Sequence, residues 1–211
     1  MSYIDIARHY ENCYRMYGDN NRGVDWPNKE DVDTRYQVIL DVMKFDRRND
    51  LRMGKFSLLD FGCGLGHLYE YIEKNNVPVL YSGLDISPLF TDKCKEKFPD
   101  VEFITLDLLE DEYKLMKYYD YIVLNGVFTE KRDLVYEEMF EYFKELISKI
   151  WRNTNRGIAF NVMSKDVDWE REDLFHLSLS ALSGFLTKEI TRNFIIRNDY
   201  GLYEYMVYVY K

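Results

Sequence analysis

The sequence predicts an α/β fold in which a largely parallel sheet is covered by helices on both faces. Three observations carry this. Residues 56–71, FSLLDFGCGLGHLYEY, pass from an apolar strand (57–61) through Gly62, Gly64 and Gly66 into helical spacing at Leu68, Tyr69 and Ile72. Strand, glycine turn and helix start bring backbone N–H groups to a helix N-terminus, where a nucleotide-like ligand is held. Strand-like and helix-like segments then alternate along the chain, as crossover units of a parallel sheet do. The last segment, LYEYMVYVY (202–210), carries one charge and is apolar or aromatic on both faces, which suits a strand in the middle of a sheet covered on both sides.

Residues 3–17 set Ile6, Tyr10, Cys13, Tyr14 and Tyr17 at helical spacing, an amphipathic helix with an aromatic face. Residues 18–23 are a loop by composition, and Asn28 reads as the N-cap of a helix over 29–45 carrying Val32, Tyr36, Ile39, Leu40 and Met43. After the glycine turn a second strand ends at Asp85, at the separation expected for a ribose-binding acid. Ser87 caps and Pro88 opens a helix to about residue 98. A third strand over 101–105 runs into Asp107, and Glu110, Asp111 and Glu112 suit a solvated helix start. The fourth strand, 119–124, ends at Asn125 and Gly126. A helix over 133–151 follows, with Leu134, Met139, Phe143, Leu146, Ile147 and Ile150 as its core stripe. The fifth strand spans 156–163, residues 164–171 form a polar loop holding Trp169, and 174–186 reads as a helix containing His176. Strands over 193–197 and 202–210 flank Asn198-Asp199-Tyr200-Gly201, a turn signal of hairpin length.

The loop Asp60-Phe61-Gly62-Cys63-Gly64-Leu65-Gly66, followed by Asp85, resembles the first motif and the ribose-binding acid of class I S-adenosylmethionine-dependent methyltransferases, and the resemblance runs from Phe56 to the C-terminus. It implies a Rossmann-like seven-stranded sheet of order 3-2-1-4-5-7-6, the last strand antiparallel between the fifth and sixth. A nicotinamide dehydrogenase would need further parallel units or a second domain, for which no residues remain. The resemblance also implies S-adenosylmethionine as cofactor, with contacts from Asp60, Gly62, Cys63, Gly64, Gly66, Asp85, Ile86, Asp107, Leu108, Asn125 and Gly126. Asp107 falls where the family places an acid or amide near the adenine amino group. Elementary electrostatics agrees: Asp60 repels a pyrophosphate, whereas S-adenosylmethionine carries no phosphate but an ammonium and a sulfonium. The rival reading is a non-catalytic member of the fold, but a dead copy is free to lose the Asp60, glycine and Asp85 set, which is intact here.

For the acceptor, the Asn-Pro-Pro-aromatic version of the family's fourth motif is absent, as are the metal set of catechol-type enzymes and the paired-glutamate loop of protein arginine methyltransferases. Gly23-Val24-Asp25-Trp26-Pro27 and the stretch 197–205 are similar to those of small bacterial methyltransferases, some of which modify sugars and surface polysaccharides. The resemblance therefore implies a small-molecule acceptor, a sugar or phosphorylated metabolite among the candidates, methylated on oxygen or nitrogen. Residues 1–50 are expected to form a helical lid and acceptor region over a cofactor-binding domain of 51–211. There Tyr14 and Trp26 cover the acceptor and Arg35 pairs with a phosphate or carboxylate. A general base or orienting group is expected from His9, Tyr10 or His176. The third histidine, His67, is expected to touch the side of the cofactor or the helix end.

Composition excludes other classes. The 211 residues carry a net charge of −9 with no basic stripe, which disfavours a nucleic-acid partner. At 46 % hydrophobic the chain can bury a core as one compact domain. Cys13, Cys63 and Cys94 are too few and too scattered for a disulfide framework or a zinc site, so no metal is expected. The N-terminal residues have no apolar signal-peptide core and no run approaches a membrane-spanning length, giving the expectation of a cytoplasmic protein.

Overall fold

The computed structural model describes residues 2–48, 54–110 and 117–211. Helix α1 (Tyr3–Tyr17) comes first, then a 3-10 turn (Asn21–Val24), α2 (Lys29–Leu40) and a single helical turn, α3 (Val42–Phe45). Strand β1 (Phe56–Phe61) leads through the glycine turn into α4 (His67–Lys74), followed by β2 (Val79–Asp85), α5 (Pro88–Lys97) and β3 (Glu102–Thr105). The second half comprises β4 (Tyr119–Phe128), α6 (Tyr136–Arg152), β5 (Thr154–Ser164), the short β6 (His176–Leu177), α7 (Leu179–Phe185), β7 (Phe194–Arg197) and β8 (Glu204–Tyr210).

The sheet runs β3-β2-β1-β4-β5-β8-β7, with β6 paired to β5 beside this path. Strands β3, β2, β1, β4 and β5 are mutually parallel, whereas β8 is antiparallel to both β5 and β7. The expected order is therefore present, the two-residue β6 being an addition. Every residue of β8 is buried, as its two-sided apolar pattern requires. Two aromatic-rich cores lie on either face. Phe128, Phe143, Phe160 and Phe185 pack under α6 and α7, while Leu58, Tyr121, Met206 and Tyr208 pack under α2 and α4. The stripe Met139, Phe143, Leu146, Ile147 and Ile150 of α6 is buried as its spacing dictates.

Three expectations need correction. The helix expected over 29–45 breaks at Asp41, whose carboxylate accepts from Arg197 at 2.8 Å, and resumes as the single turn α3. The stretch 174–186 is not one helix. Leu174 bridges Glu130, Phe175 donates its N–H to Thr129 O at 2.8 Å, and His176–Leu177 adds to β5 as a strand. Ser178 then caps α7 through Ala181 N, and the helix continues as a wider turn over Leu186–Ile190. A short apolar run beside an open sheet position satisfies its backbone by pairing, and periodicity cannot distinguish that from helix. Finally, α6 starts at Tyr136, after Arg132 adopts φ 51°, so Leu134 is buried from the preceding loop. The boundary expected at 50/51 and the helix start at Asp111 and Glu112 lie outside the described residues.

Candidate active site

Strand β1 delivers Asp60 and Phe61 to the carboxyl end of the sheet, and the chain then turns over β2. Gly62 N and Cys63 N both donate to Leu84 O, at 2.7 and 3.0 Å, and Gly64 N donates to Asp85 Oδ2 at 2.8 Å. Gly64 needs its φ of 52° for this, and a Cβ there would find only Val24 Cγ1, at 3.7 Å, so its far side is open. Gly66 differs. Its φ is 76°, and an added Cβ would sit 3.0 Å from the Phe98 ring and 3.2 Å from Cys94 Sγ. Gly66 therefore lets α4 approach α5 and, unlike Gly62, Cys63 and Gly64, does not line the cavity that opens beside the turn.

That cavity is walled by four separate stretches of chain: Asp60 to Leu65, Asp85 with Ile86, Leu106 to Leu109, and Asn125 to Val127. Ten of the eleven residues expected to contact a cofactor, all but Gly66, meet there. Asp60 is 2 % exposed and accepts from the Tyr81 hydroxyl at 2.8 Å; burial, with Asp85 adding repulsion, pushes its carboxyl up to about 7. Asp85 is pushed up to about 6 by burial, although Ser87 N and Gly64 N each donate to it at 2.8 Å. Desolvated acids of this kind favour a cation arriving beside them. Asn125 ends the straight part of β4, and both polar atoms of its amide are buried without a hydrogen-bond partner. An unpaired buried amide on a cavity wall is suited to a ligand's polar groups. Among the described residues no Lys or Arg lines the cavity.

The N-terminal residues roof this space. Tyr3, Ile6, Ala7 and Tyr10 of α1 line it, as do Val24 and Trp26. The roof is fastened at several points. Tyr3 donates to Asp107 Oδ2 at 2.9 Å, Ser87 Oγ donates to Glu11 at 2.6 Å, and Asp19 holds both His67 (2.7 Å) and Lys97 (2.8 Å). Trp26 lies against Gly126, where a Cβ would come within 3.0 Å of its ring. Tyr3 and Tyr142 stack with ring centroids 5.0 Å apart beside Asp107. Neither was expected. Tyr142 sits next to the core stripe of α6, four residues before Leu146, and only that flanking position hints at its role.

Several expected acceptor-side residues lie elsewhere. Tyr14 packs edge-on against Phe90 and does not line the cavity. Arg35 donates to Glu204 at 2.9 Å, stacks over Trp26 at 5.0 Å and does not line the cavity, so it is not the free phosphate partner anticipated. His176 does not line the cavity. Its Nδ1 meets Ser164 O and its Nε2 accepts from Arg171 N at 3.2 Å, so the ring closes the 164–176 loop. His9 is paired with Asp25 at 2.7 Å outside the cavity, whereas His67 does line it. Tyr10 is the one expected catalytic group on the wall. Burial, with Glu130 adding repulsion, holds its phenol protonated far above the ordinary range, so it is a donor and not a base.

Known proteins are similar to this chain in sequence and in fold. The family described as a methyltransferase domain matches residues 59–149, from β1 into α6. The chain is 26 % identical over 161 residues to "Putative methyltransferase Rv1506c" of Mycobacterium tuberculosis, covering 74 % of this chain and 93 % of that one. It is 24 % identical over 184 residues to a malonyl-acyl-carrier-protein O-methyltransferase of Halalkalibacterium halodurans, covering 84 % of this chain and 61 % of the other. Magnesium protoporphyrin IX methyltransferase (ChlM) of Synechocystis PCC 6803, solved with bound S-adenosylmethionine, shares the fold with a TM-score of 0.65 at 19 % identity, over 100 % of this chain and 98 % of that one. The plantazolicin methyltransferase BpumL, solved with a substrate analogue and S-adenosylhomocysteine, gives 0.61 at 17 % identity, over 99 % and 98 %. No helix among the described residues is long and apolar enough to cross a membrane. With the glycine turn, its two acids and the sheet order in place, residues 59–149 match a methyltransferase domain, and the whole chain is similar in fold to S-adenosylmethionine-dependent methyltransferases.

Proposed function

We propose that the roofed cavity holds S-adenosylmethionine and that the enzyme methylates a small neutral or cationic acceptor, an amine nitrogen suiting the site best. The observation that carries this is the charge of the wall: Asp60, Asp85 and Asp107 line it and, among the described residues, no Lys or Arg does. Such a wall favours a cofactor that brings an ammonium and a sulfonium. It opposes a phosphorylated acceptor, the more so because Arg35 is already committed to Glu204.

Asp85 is placed to accept from two vicinal ribose hydroxyls, and Gly62 to Gly64 offer close backbone approach. Asp60 favours the positive end. Asp107 with the Tyr3–Tyr142 stack offers a flat, apolar slot with one carboxylate, suited to an aromatic base. When bound, S-adenosylmethionine supplies a methyl group already activated by its sulfonium. The protein's own part is then orientation and exclusion of water. Asn125 and the Tyr10 hydroxyl orient the acceptor, and residues 2–45 act as the lid that admits it. With Tyr10 held protonated and His9 and His176 outside the cavity, no side chain expected as a base can take a proton from an unactivated hydroxyl; a neutral amine needs none. Methylation at oxygen, as in the name of the Halalkalibacterium relative, is the second reading.

The test has two stages. Calorimetry with S-adenosylmethionine should give binding at one site per chain. Transfer of a labelled methyl group to panels of amines, alcohols and phosphorylated metabolites should then favour the amines. Turnover confined to phosphorylated acceptors would refute the proposal.

A further inference from the structure

Outside the cavity, α1 and the turn after it bring three ligand-type side chains to one point. His9 and Cys13 are four residues apart on α1 and share one helix face. The chain then reverses through Asn21–Val24, and Asp25, in a left-handed conformation (φ 56°), returns its carboxylate to that face. Asp25 Oδ2 lies 2.7 Å from His9 Nε2, and Cys13 Sγ lies 3.6 Å from the same nitrogen. All three ligand atoms fall within 4.8 Å of one another. We propose that His9, Cys13 and Asp25 form a binding site for a zinc-class divalent cation that clamps α1 to the turn beneath it.

Metal–ligand bonds of about 2.0–2.3 Å in a tetrahedral arrangement hold imidazole, carboxylate and thiolate atoms roughly 3.3–3.6 Å apart. The His9–Cys13 separation already has this value, the His9–Asp25 contact needs to widen by less than 1 Å, and the Cys13–Asp25 separation, at most 4.8 Å, needs to close by no more than about 1.5 Å. A thiolate with an imidazole selects zinc-like ions over magnesium or calcium. A hydrogen-bonded His9–Asp25 pair alone accounts for the 2.7 Å contact but gives the buried Cys13 thiol no part. The surroundings carry both signs: Glu130 is buried close enough to Asp25 for the two carboxylates to repel, while Arg132, paired with Glu130, also acts on Cys13, and Arg171 acts on Asp25. Only one of the three cysteines is used, which is why cysteine spacing gave no sign of the site. None of the three ligands lines the cavity, so the ion serves the lid, whose next residue, Tyr10, does line it. This inference is independent of the acceptor assigned above.

Cobalt(II) is the probe. The full-length protein, stripped with a chelator and titrated with Co2+, should develop a near-ultraviolet thiolate-to-cobalt band and visible bands of tetrahedral intensity, saturating at one equivalent and displaced by Zn2+. Zinc at about a hundredfold above its dissociation constant should raise Tm by roughly 5 °C, with magnesium inert. Cys13→Ser should lose the near-ultraviolet band, and Asp25→Asn should weaken binding at least tenfold, while both retain S-adenosylmethionine binding and a parental circular dichroism spectrum. Absence of the band, or equal zinc binding by parent and Cys13→Ser, would overturn the proposal and leave only an adventitious surface site.

Discussion

The Arg35–Glu204 pair ties α2 to β8, and its two halves should fail differently. Glu204 is 1 % exposed and Arg35 17 %. Glu204 Oε2 accepts from Arg35 Nε at 2.9 Å and Oε1 from Asn161 Nδ2 at 3.1 Å, while Asn161 Oδ1 accepts from Gly126 N at 2.7 Å. Arg35→Met leaves a buried carboxylate facing one amide. Burial already raises the Glu204 carboxyl in the intact protein and Arg35 is the largest force lowering it, so without Arg35 the group escapes by binding a proton. Taking that proton at pH 7.5 from an ordinary value of 4.5 costs about 4 kcal/mol, within the 3–5 kcal/mol typical of a broken buried pair. A carboxyl whose folded value exceeds its unfolded one stabilises least at high pH, so stability is lost as pH rises between the two. The deficit of Arg35→Met should therefore shrink to about 1.4 kcal/mol at pH 5.5. Glu204→Gln cannot titrate; its amide NH2 must face one of two donors, costing about 1–3 kcal/mol at either pH. Urea unfolding of parent and both variants at the two pH values, with unchanged m, measures this. An Arg35→Met deficit that is equal at both pH values would refute the reasoning.

With Asp60 at about 7 and Asp85 at about 6, the ligand-free protein should lose stability as pH rises from about 4 to 7, while affinity for S-adenosylmethionine climbs as both acids ionise; calorimetry across pH 5.5–7.5 should show that rise, and Asp60→Asn should flatten most of it. Asp85→Ala should weaken cofactor binding at least tenfold, and unchanged calorimetric affinity would remove it from the ribose role. Gly64→Val should abolish binding, because a branched side chain would fill the cavity and also resists the φ of 52° that the turn requires, so circular dichroism must show the variant folded; parental affinity for S-adenosylhomocysteine would make the loop purely structural. His176→Ala should keep the parental rate at saturating cofactor but lower Tm by several degrees, since it strips partners from Ser164 O and Arg171 N; a large loss of rate in the folded variant would restore it as a catalytic candidate.

The sequence by itself determined the sheet, the glycine turn and the positions of Asp60, Asp85 and Asp107. Those features rest on local rules: alternation and apolar runs for strands, glycine for a turn of positive φ, and Ser87-Pro88 and Asn28 for helix starts. The doubly apolar pattern of 202–210 likewise required a central strand, and β8 is one. Tertiary structure alone decided which polar side chains reach the cavity. Arg35 and His176 look available in the sequence, yet each is satisfied by a partner far along the chain or across a loop: Glu204 for Arg35, and Ser164 O for His176. Tyr3 and Tyr142 look like packing residues but close over Asp107, because α1 and α6 meet there although 104 residues separate Tyr3 from its hydrogen-bond partner. Periodicity reports which face of an element is buried; it carries no information about which distant element buries it, and that pairing assigns Tyr10 to the cavity wall and its neighbour His9 to Asp25.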